Sequence, residues 1–148
     1  CSSLHTLNLY GTQVTDVSCL GSCSSLHTLD LSFTNVTDVS SFLRSSLHTL
    51  NLSDTQVTDV SGLGSCSSLH TLHLNRTQVT DVSALGSCSS LHTLDLSFTN
   101  VTDVSSFLRS SLHTLNLSDT QVTDVSALGS CSSLHTLELR NTQVTDVS

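Results

Sequence analysis

Apolar residues return on a fixed schedule along this chain. The unit LHTLxLxxTxVTDVS begins at Leu4, Leu26, Leu47, Leu69, Leu91, Leu112 and Leu134, in steps of 22, 21, 22, 22, 21 and 22 residues. Eleven of its fifteen positions are identical in all seven copies. Leu4, Leu7 and Leu9 spell L-x-x-L-x-L, whose last two apolar positions alternate as a short strand requires. Val14, Val17, Leu20 and Cys23 follow, and all seven are assigned to the interior of one coil. A unit this short cannot bury its own apolar side chains, so it must stack on its neighbours. The pattern predicts seven coils, one short strand each, in a parallel sheet, and at ~4.8 Å per coil a rod roughly 34 Å long. Each buried Leu or Val then contributes roughly 1.5–3 kcal/mol, mostly against adjacent coils. We expect residues 1–148 to form a single solenoid, uncapped at both ends.

Most units close on a segment such as GLGSCSS. Two close on the shorter SFLRSS, at Ser41–Ser46 and Ser106–Ser111, which accounts for both 21-residue steps. A longer period lies above the unit. Residues 26–83 match residues 91–148 except at Gly62/Ala127, His73/Glu138, Asn75/Arg140 and Arg76/Asn141. The array is a duplicated block of three units.

LHTLxLxxTxV resembles the leucine-rich repeat L-x-x-L-x-L-x-x-N-x-[IV]. The 22-residue length and the TDVSxL continuation are similar to the internalin-like and protein-phosphatase-regulator-like class of that family. The Cys before SSL is similar to the cysteine-containing class, and comparable TDVS arrays occur in surface and secreted proteins of protozoa. The resemblance implies an α/β-type repeat solenoid. It would be a right-handed coil with one parallel β-sheet, an irregular or 3-10 convex side and few or no long helices. It also implies protein binding on the concave strand face. The chain departs from the family at Thr12, Thr34, Thr55, Thr77, Thr99, Thr120 and Thr142, where Asn is usual. Thr offers one hydroxyl donor in place of an amide, so each turn should carry fewer side-chain bonds.

Ser and Thr make up 52 of 148 residues, a skew that on its own would suggest disorder. The periodicity excludes that. Four Arg and no Lys stand against twelve acids, for a net charge of −8. A phosphate-tracking nucleic-acid binder needs the opposite balance, as does a polybasic membrane-surface module. No apolar run is long enough to span a bilayer, so no membrane insertion is expected.

Two invariant polar columns and one sulfur column need reasons. The Asp column (Asp16, Asp38, Asp59, Asp81, Asp103, Asp124 and Asp146) would place carboxylates roughly 5 Å apart, with a repulsion of ~0.8 kcal/mol in water. We read each as an Asx-type cap that accepts amide hydrogens from the following turn. A Ca²⁺ ladder is disfavoured, because one carboxylate per coil supplies too few oxygens. The His column (His5, His27, His48, His70, His92, His113 and His135) lies at the strand entrance and reads as stacked neutral imidazoles. Cys23, Cys66, Cys88 and Cys131 share a third column, with Cys1 leading into it and Leu43 and Leu108 replacing it in the short units. That replacement marks an apolar interior site for a free thiol. Consecutive coils also bring Cys66 to Cys88, and Cys1 to Cys23, within the disulfide range. The C-x3-C-x3-H run at Cys19, Cys23 and His27 has zinc-like spacing, but Cys23 is expected to point inward. No metal or cofactor is implied.

Variation inside the motif is confined to a few columns. The first reads Asn8, Asp30, Asn51, His73, Asp95, Asn116, Glu138. The second reads Tyr10, Ser32, Ser53, Asn75, Ser97, Ser118, Arg140. The third reads Gly11, Phe33, Asp54, Arg76, Phe98, Asp119, Asn141. A fourth alternates only between Gln and Asn. The first two alternate with buried Leu residues and are expected to face out of the sheet, with the third beside them at the strand exit. Asn8, Tyr10, Asp30, Phe33, Asp54, His73, Arg76, Asp95, Phe98, Asp119, Glu138 and Arg140 form the candidate binding face. Tyr, Phe and Arg are residue types suited to anchoring an interface.

No G-x-S-x-G elbow, P-loop, G-x-G-x-x-G or H-E-x-x-H occurs, and identical copies argue against a unique catalytic site, so we expect no enzyme. The leading expectation is a non-enzymatic scaffold for a protein or glycan partner. Second is a structural subunit stacking on copies of itself, head to tail, into an extracellular filament, since uncapped coil ends invite stacking. An ice-binding solenoid is third, because the Thr columns do not form a flat paired Thr-x-Thr face. Five N-x-[ST] sequons occur, at Asn35, Asn51, Asn75, Asn100 and Asn116. Glycosylation there would require an extracellular or cell-surface location, whereas reduced thiols suit the cytoplasm. We place the extracellular reading ahead.

Overall fold

The structure is a computed structural model that describes residues 2–42, 46–108 and 110–145. Seven three-residue strands lie in chain order in one parallel sheet. They are β1 (Thr6–Asn8), β2 (Thr28–Asp30), β3 (Thr49–Asn51), β4 (Thr71–His73), β5 (Thr93–Asp95), β6 (Thr114–Asn116) and β7 (Thr136–Glu138). The register pairs like with like, so that Leu50 partners Leu29 and Leu72, and Leu72 partners Leu94. Backbone bonds continue the ladder on both sides of each strand, as in His70 N–H to His48 C=O (2.8 Å) and Leu74 N–H to Asp95 C=O (2.9 Å). The far side of each coil is a short 3-10 turn, such as Ser61–Ser65, Ser83–Ser87 or Ser105–Phe107. No α-helix occurs among the described residues, and none is long and apolar enough to cross a membrane.

The expected interior column is continuous. Leu29, Leu50, Leu72, Leu94 and Leu115 are fully buried, as are Val36, Val57, Val79, Val101 and Val122. The same positions in the first and last coils, Leu7, Val14, Leu137 and Val144, are only partly buried. Identical residues are therefore dry with two neighbouring coils and half-wet with one. Burial belongs to the stack and not to the unit.

The sulfur column holds buried thiols, and the short units depart from expectation. Cys66 and Cys88 are not bridged: Cys88 is a free thiol whose Sγ donates to Leu63 C=O (3.2 Å), while Cys66 Sγ donates to Phe42 C=O (3.0 Å). Cys23 is also a free, buried thiol, and Cys1 lies outside the described residues. The S–H groups of Cys66, Cys88 and Cys131 thus each donate to a carbonyl of the coil before. Burial pushes the Cys88 thiol up to about 11, so it is an inert proton donor at neutral pH.

Leu108 does not fill the Cys place; it is 53% exposed. The buried side chain there is Phe107, at the position Leu85 holds one coil earlier, and Phe42 does the same in the first short unit. One large ring replaces the Leu and Cys that a long unit supplies. Leu43 lies outside the described residues.

Candidate functional site

The turn after each strand sets the geometry of the variable columns. Chain reversal there needs a left-handed residue, and the third column supplies it in every coil. Gly11, Phe33, Asp54, Arg76, Phe98, Asp119 and Asn141 have φ between 54° and 69°. Their amides still join the inter-coil ladder, as in Phe33 N–H to Ser53 C=O (3.0 Å) and Arg76 N–H to Ser97 C=O (3.0 Å). Glycine, Asn and Asp adopt this conformation readily, whereas a bulky aromatic adopts it against steric resistance. Sequence reading placed these residues at the strand exit but missed the backbone constraint. The signal was present in the Gly, Asp and Asn that share the column.

The first column has a structural duty as well. The Oδ1 atoms of Asn8, Asp30, Asn51, Asp95 and Asn116 accept the backbone N–H two residues on, at 2.8–3.0 Å. These Asx turns bend the chain out of the strand. Among the described residues His73 and Glu138 make no such bond; Glu138 instead lies 3.6 Å from Arg140 in an exposed ion pair. Asn51 and Asn116, two of the sequon residues, are therefore half-buried turn acceptors. Asn35 and Asn100 are exposed, and Asn75 is half-buried, accepting from Ser53 Oγ (2.6 Å).

The second column does not face outward throughout. Ser32, Ser53, Ser97 and Ser118 are buried, and the hydroxyls of the first three donate to Asp30, Asn51 and Asp95. A small side chain tucks into the turn; Tyr10 and Arg140, in the first and last coils, stay outside. Beneath them the Thr column is buried in the five inner coils, at Thr34, Thr55, Thr77, Thr99 and Thr120. Each hydroxyl donates to the Leu carbonyl three residues earlier, as Thr34 does to Leu31 (2.6 Å) and Thr77 to Leu74 (2.7 Å). That one bond is what a hydroxyl can give where the family usually places an amide.

What remains exposed is a strip along the strand exits. Tyr10 is 59% exposed, and Phe33 and Phe98 are 51% exposed. The Tyr10 and Phe33 rings meet edge to face, with centroids 5.3 Å apart. The Arg76 guanidinium carbon lies 5.0 Å from the Phe98 ring centre. Asn141 Nδ2 donates to Asp119 Oδ1 (3.1 Å). Asp54 stands between the two aromatic groups. The twelve predicted face residues therefore divide. Tyr10, Phe33, Asp54, Arg76, Phe98, Asp119 and Arg140 line the strip. Asn8, Asp30 and Asp95 are committed to turns, and His73 and Glu138 close the strands. The strain at Phe98 is measurable: Phe98→Gly is expected to be about 1 kcal/mol more stable than Phe98→Ala, because alanine keeps the left-handed penalty and glycine removes it. Equal urea midpoints for the two variants would contradict this.

The Asp column caps the 3-10 turns, as expected. Asp16, Asp38, Asp59, Asp81, Asp103 and Asp124 each accept the N–H of the Ser two residues on, at 2.8–2.9 Å. Those backbone bonds, with help from the same serine hydroxyls, hold the first five carboxyls below the usual carboxylate range. Asp146 lies outside the described residues. Among those described, no three His, Cys, Asp or Glu residues are placed to hold one metal ion.

The His column packs ring to ring over six consecutive pairs, with centroids 4.5–5.5 Å apart. The expected stacking is found only for His113 and His135; His27–His48, His48–His70 and His92–His113 meet edge to face. The Nδ1 atoms of His48 and His113 are buried without a hydrogen-bond partner. Desolvation, and then the charges of His113 and His70, lower the pKa of His92. A depressed folded-state pKa means that the unfolded chain takes up the proton first. Stability is then intact above about pH 6.5 and is lost as pH falls from there toward the folded value. The melting temperature should drop between pH 7.5 and pH 5, and an unchanged melt would contradict the account.

The family of leucine-rich repeats (2 copies) matches residues 2–44, 45–87, 67–109 and 110–148. No curated protein matches the sequence. Among solved structures, internalin C2 of Listeria monocytogenes is 32% identical with a TM-score of 0.95, over 99% of this chain and 66% of its own. A leucine-rich-repeat protein of Leptospira interrogans is 27% identical with a TM-score of 0.92, over 99% of this chain and 40% of its own. Internalin F of Listeria monocytogenes, at 24% identity and a TM-score of 0.76, shares the fold over 93% of this chain and 48% of its own. The chain thus spans less than two thirds of the length of each of these relatives.

Proposed function

The chain belongs to the leucine-rich-repeat family, and we propose that it is a non-enzymatic scaffold that captures a protein partner on the strand-exit strip. The leucine-rich-repeat fold is a general protein-interaction scaffold. The observation that carries the assignment to this strip is the placing of Phe33 and Phe98. Each is a large apolar side chain, half exposed, in a left-handed backbone position that Gly, Asp, Asn or Arg fills in other coils. Stability alone disfavours such a residue on both counts, by exposing apolar surface and by straining the backbone. Aromatic anchors beside charged residues are what a protein interface uses.

Affinity capture of partners by the wild-type chain and by Phe33→Ser/Phe98→Ser tests the reading. Partners held by the wild-type chain should be lost from the double variant, since buried aromatic anchors contribute about 2 kcal/mol or more each. Undiminished capture would discredit the strip.

A further inference from the structure

We propose that Tyr10, Phe33 and Asp54 form an open receptor for the guanidinium of an arginine on the protein partner. The inference rests on the strip being the binding surface and adds the chemistry it selects.

The duplicated block supplies an internal comparison. Phe33 and Phe98 occupy the same place in two copies of one sequence, 65 residues apart, and share φ 56°. Around Phe98 the preceding coil contributes Arg76, whose guanidinium carbon lies 5.0 Å from the ring centre. The following coil contributes Asp119, whose carboxylate accepts from Asn141. Around Phe33 the preceding coil contributes Gly11 instead, and a Cβ built on Gly11 would meet nothing within 4 Å. The following coil contributes Asp54, whose carboxylate has no hydrogen bond or ion pair among the described residues. The same ring thus meets a guanidinium in one block and the edge-to-face Tyr10 ring in the other, and each is left 51% exposed.

Three features fit a cation at Phe33, where no guanidinium of the chain lies. Tyr10 sets a second ring against Phe33 at 64°, which forms a corner of two π-systems. Aromatic faces attract cations, and a nearby carboxylate adds to that attraction. Among the candidate face residues, Asp30, Asp54, Asp95, Asp119 and Glu138 outnumber Arg76 and Arg140, on a chain of net charge −8. This balance draws a cationic partner and repels an acidic one. Arginine is favoured over lysine because its planar head stacks on a ring while its N–H groups reach a carboxylate.

Tyr10 is the one tyrosine, and tryptophan is absent, so intrinsic fluorescence reports the receptor directly. The probe is acetyl-hexaarginine amide, with the citrulline hexapeptide as its neutral counterpart. A saturable change in Tyr10 emission is expected with the arginine peptide and none with citrulline. Asp54→Asn should weaken binding by about fivefold. Asp119→Asn makes the same change in net charge at the block already filled by Arg76, and should weaken binding by clearly less than Asp54→Asn does. Gly11→Arg should block the receptor, because it supplies here the side chain that Arg76 supplies to Phe98. Arg76 already tolerates the left-handed conformation at that place, and far-UV circular dichroism checks the fold of the variant. If Gly11→Arg fails to fold, the Asp54/Asp119 pair decides. Equal losses in Asp54→Asn and Asp119→Asn would reveal diffuse charge attraction and overturn the assignment. An equal response to citrulline, or no response to arginine, would also overturn it. If the peptide fails while partner capture still depends on Phe33 and Phe98, the guanidinium assignment falls and the binding strip stands.

Discussion

Leu72→Ala is expected to lower the unfolding free energy by about 3–5 kcal/mol, read by equilibrium urea denaturation. Leu72 is fully buried in the central strand β4, in register with Leu50 on one side and Leu94 on the other. Truncation removes its transfer free energy and leaves a void. The void cannot collapse, because backbone bonds on both sides fix the spacing of the neighbouring coils. Leu7→Ala, the same change at a position with one neighbouring coil, should cost less than half as much, since Leu7 is only partly buried. Equal costs at the two positions would show that each coil carries its own core.

Phe107→Ala has a comparable expected effect, about 3–5 kcal/mol. In a long unit the interior of the turn is filled by a Leu and a Cys, such as Leu85 and Cys88. In the short unit Phe107 fills it, fully buried, and its carbonyl accepts from Cys131 Sγ (2.9 Å). The conservative change is therefore also informative. Phe107→Leu restores the residue of the long unit without its cysteine, and should cost about 1–2 kcal/mol through the remaining gap. Leu108→Ala next door should be nearly silent, because Leu108 is half exposed. A larger loss at Leu108 than at Phe107 would reverse this assignment of the short turn.

The fold was legible because repetition turns one ambiguous pattern into seven concordant ones. A single LHTLNL could be a strand or a fragment of a helix. Seven of them at 21–22 residue spacing admit only a stack, and the parallel register of Leu on Leu follows. The Asp caps were legible for a similar reason, since a short acceptor two residues before a serine amide has a local partner wherever the coil lies. Less was legible at the variable columns. Alternation with buried leucines places a residue outside only while the strand continues, and the strands end at Asn8 and its equivalents. Past that point the chain turns, Ser32 and Ser53 sink into the bend, and Phe33 and Phe98 are lifted out of it. The column of Gly, Asp and Asn carried the left-handed signature, but the two phenylalanines obscured it. The short units were misread because sequence order placed Leu108 against the cysteine column, whereas volume placed Phe107 there.

Adjacent coils share one interior, and double-mutant cycles on the valine column test this most directly. Val79 and Val101 are fully buried in consecutive coils, and Val36 and Val122 are equally buried but four coils apart. In urea denaturation, Val79→Ala and Val101→Ala should couple by about 0.5 kcal/mol or more, while Val36→Ala and Val122→Ala should add to within about 0.3–0.5 kcal/mol. Additivity in both pairs would contradict the shared interior.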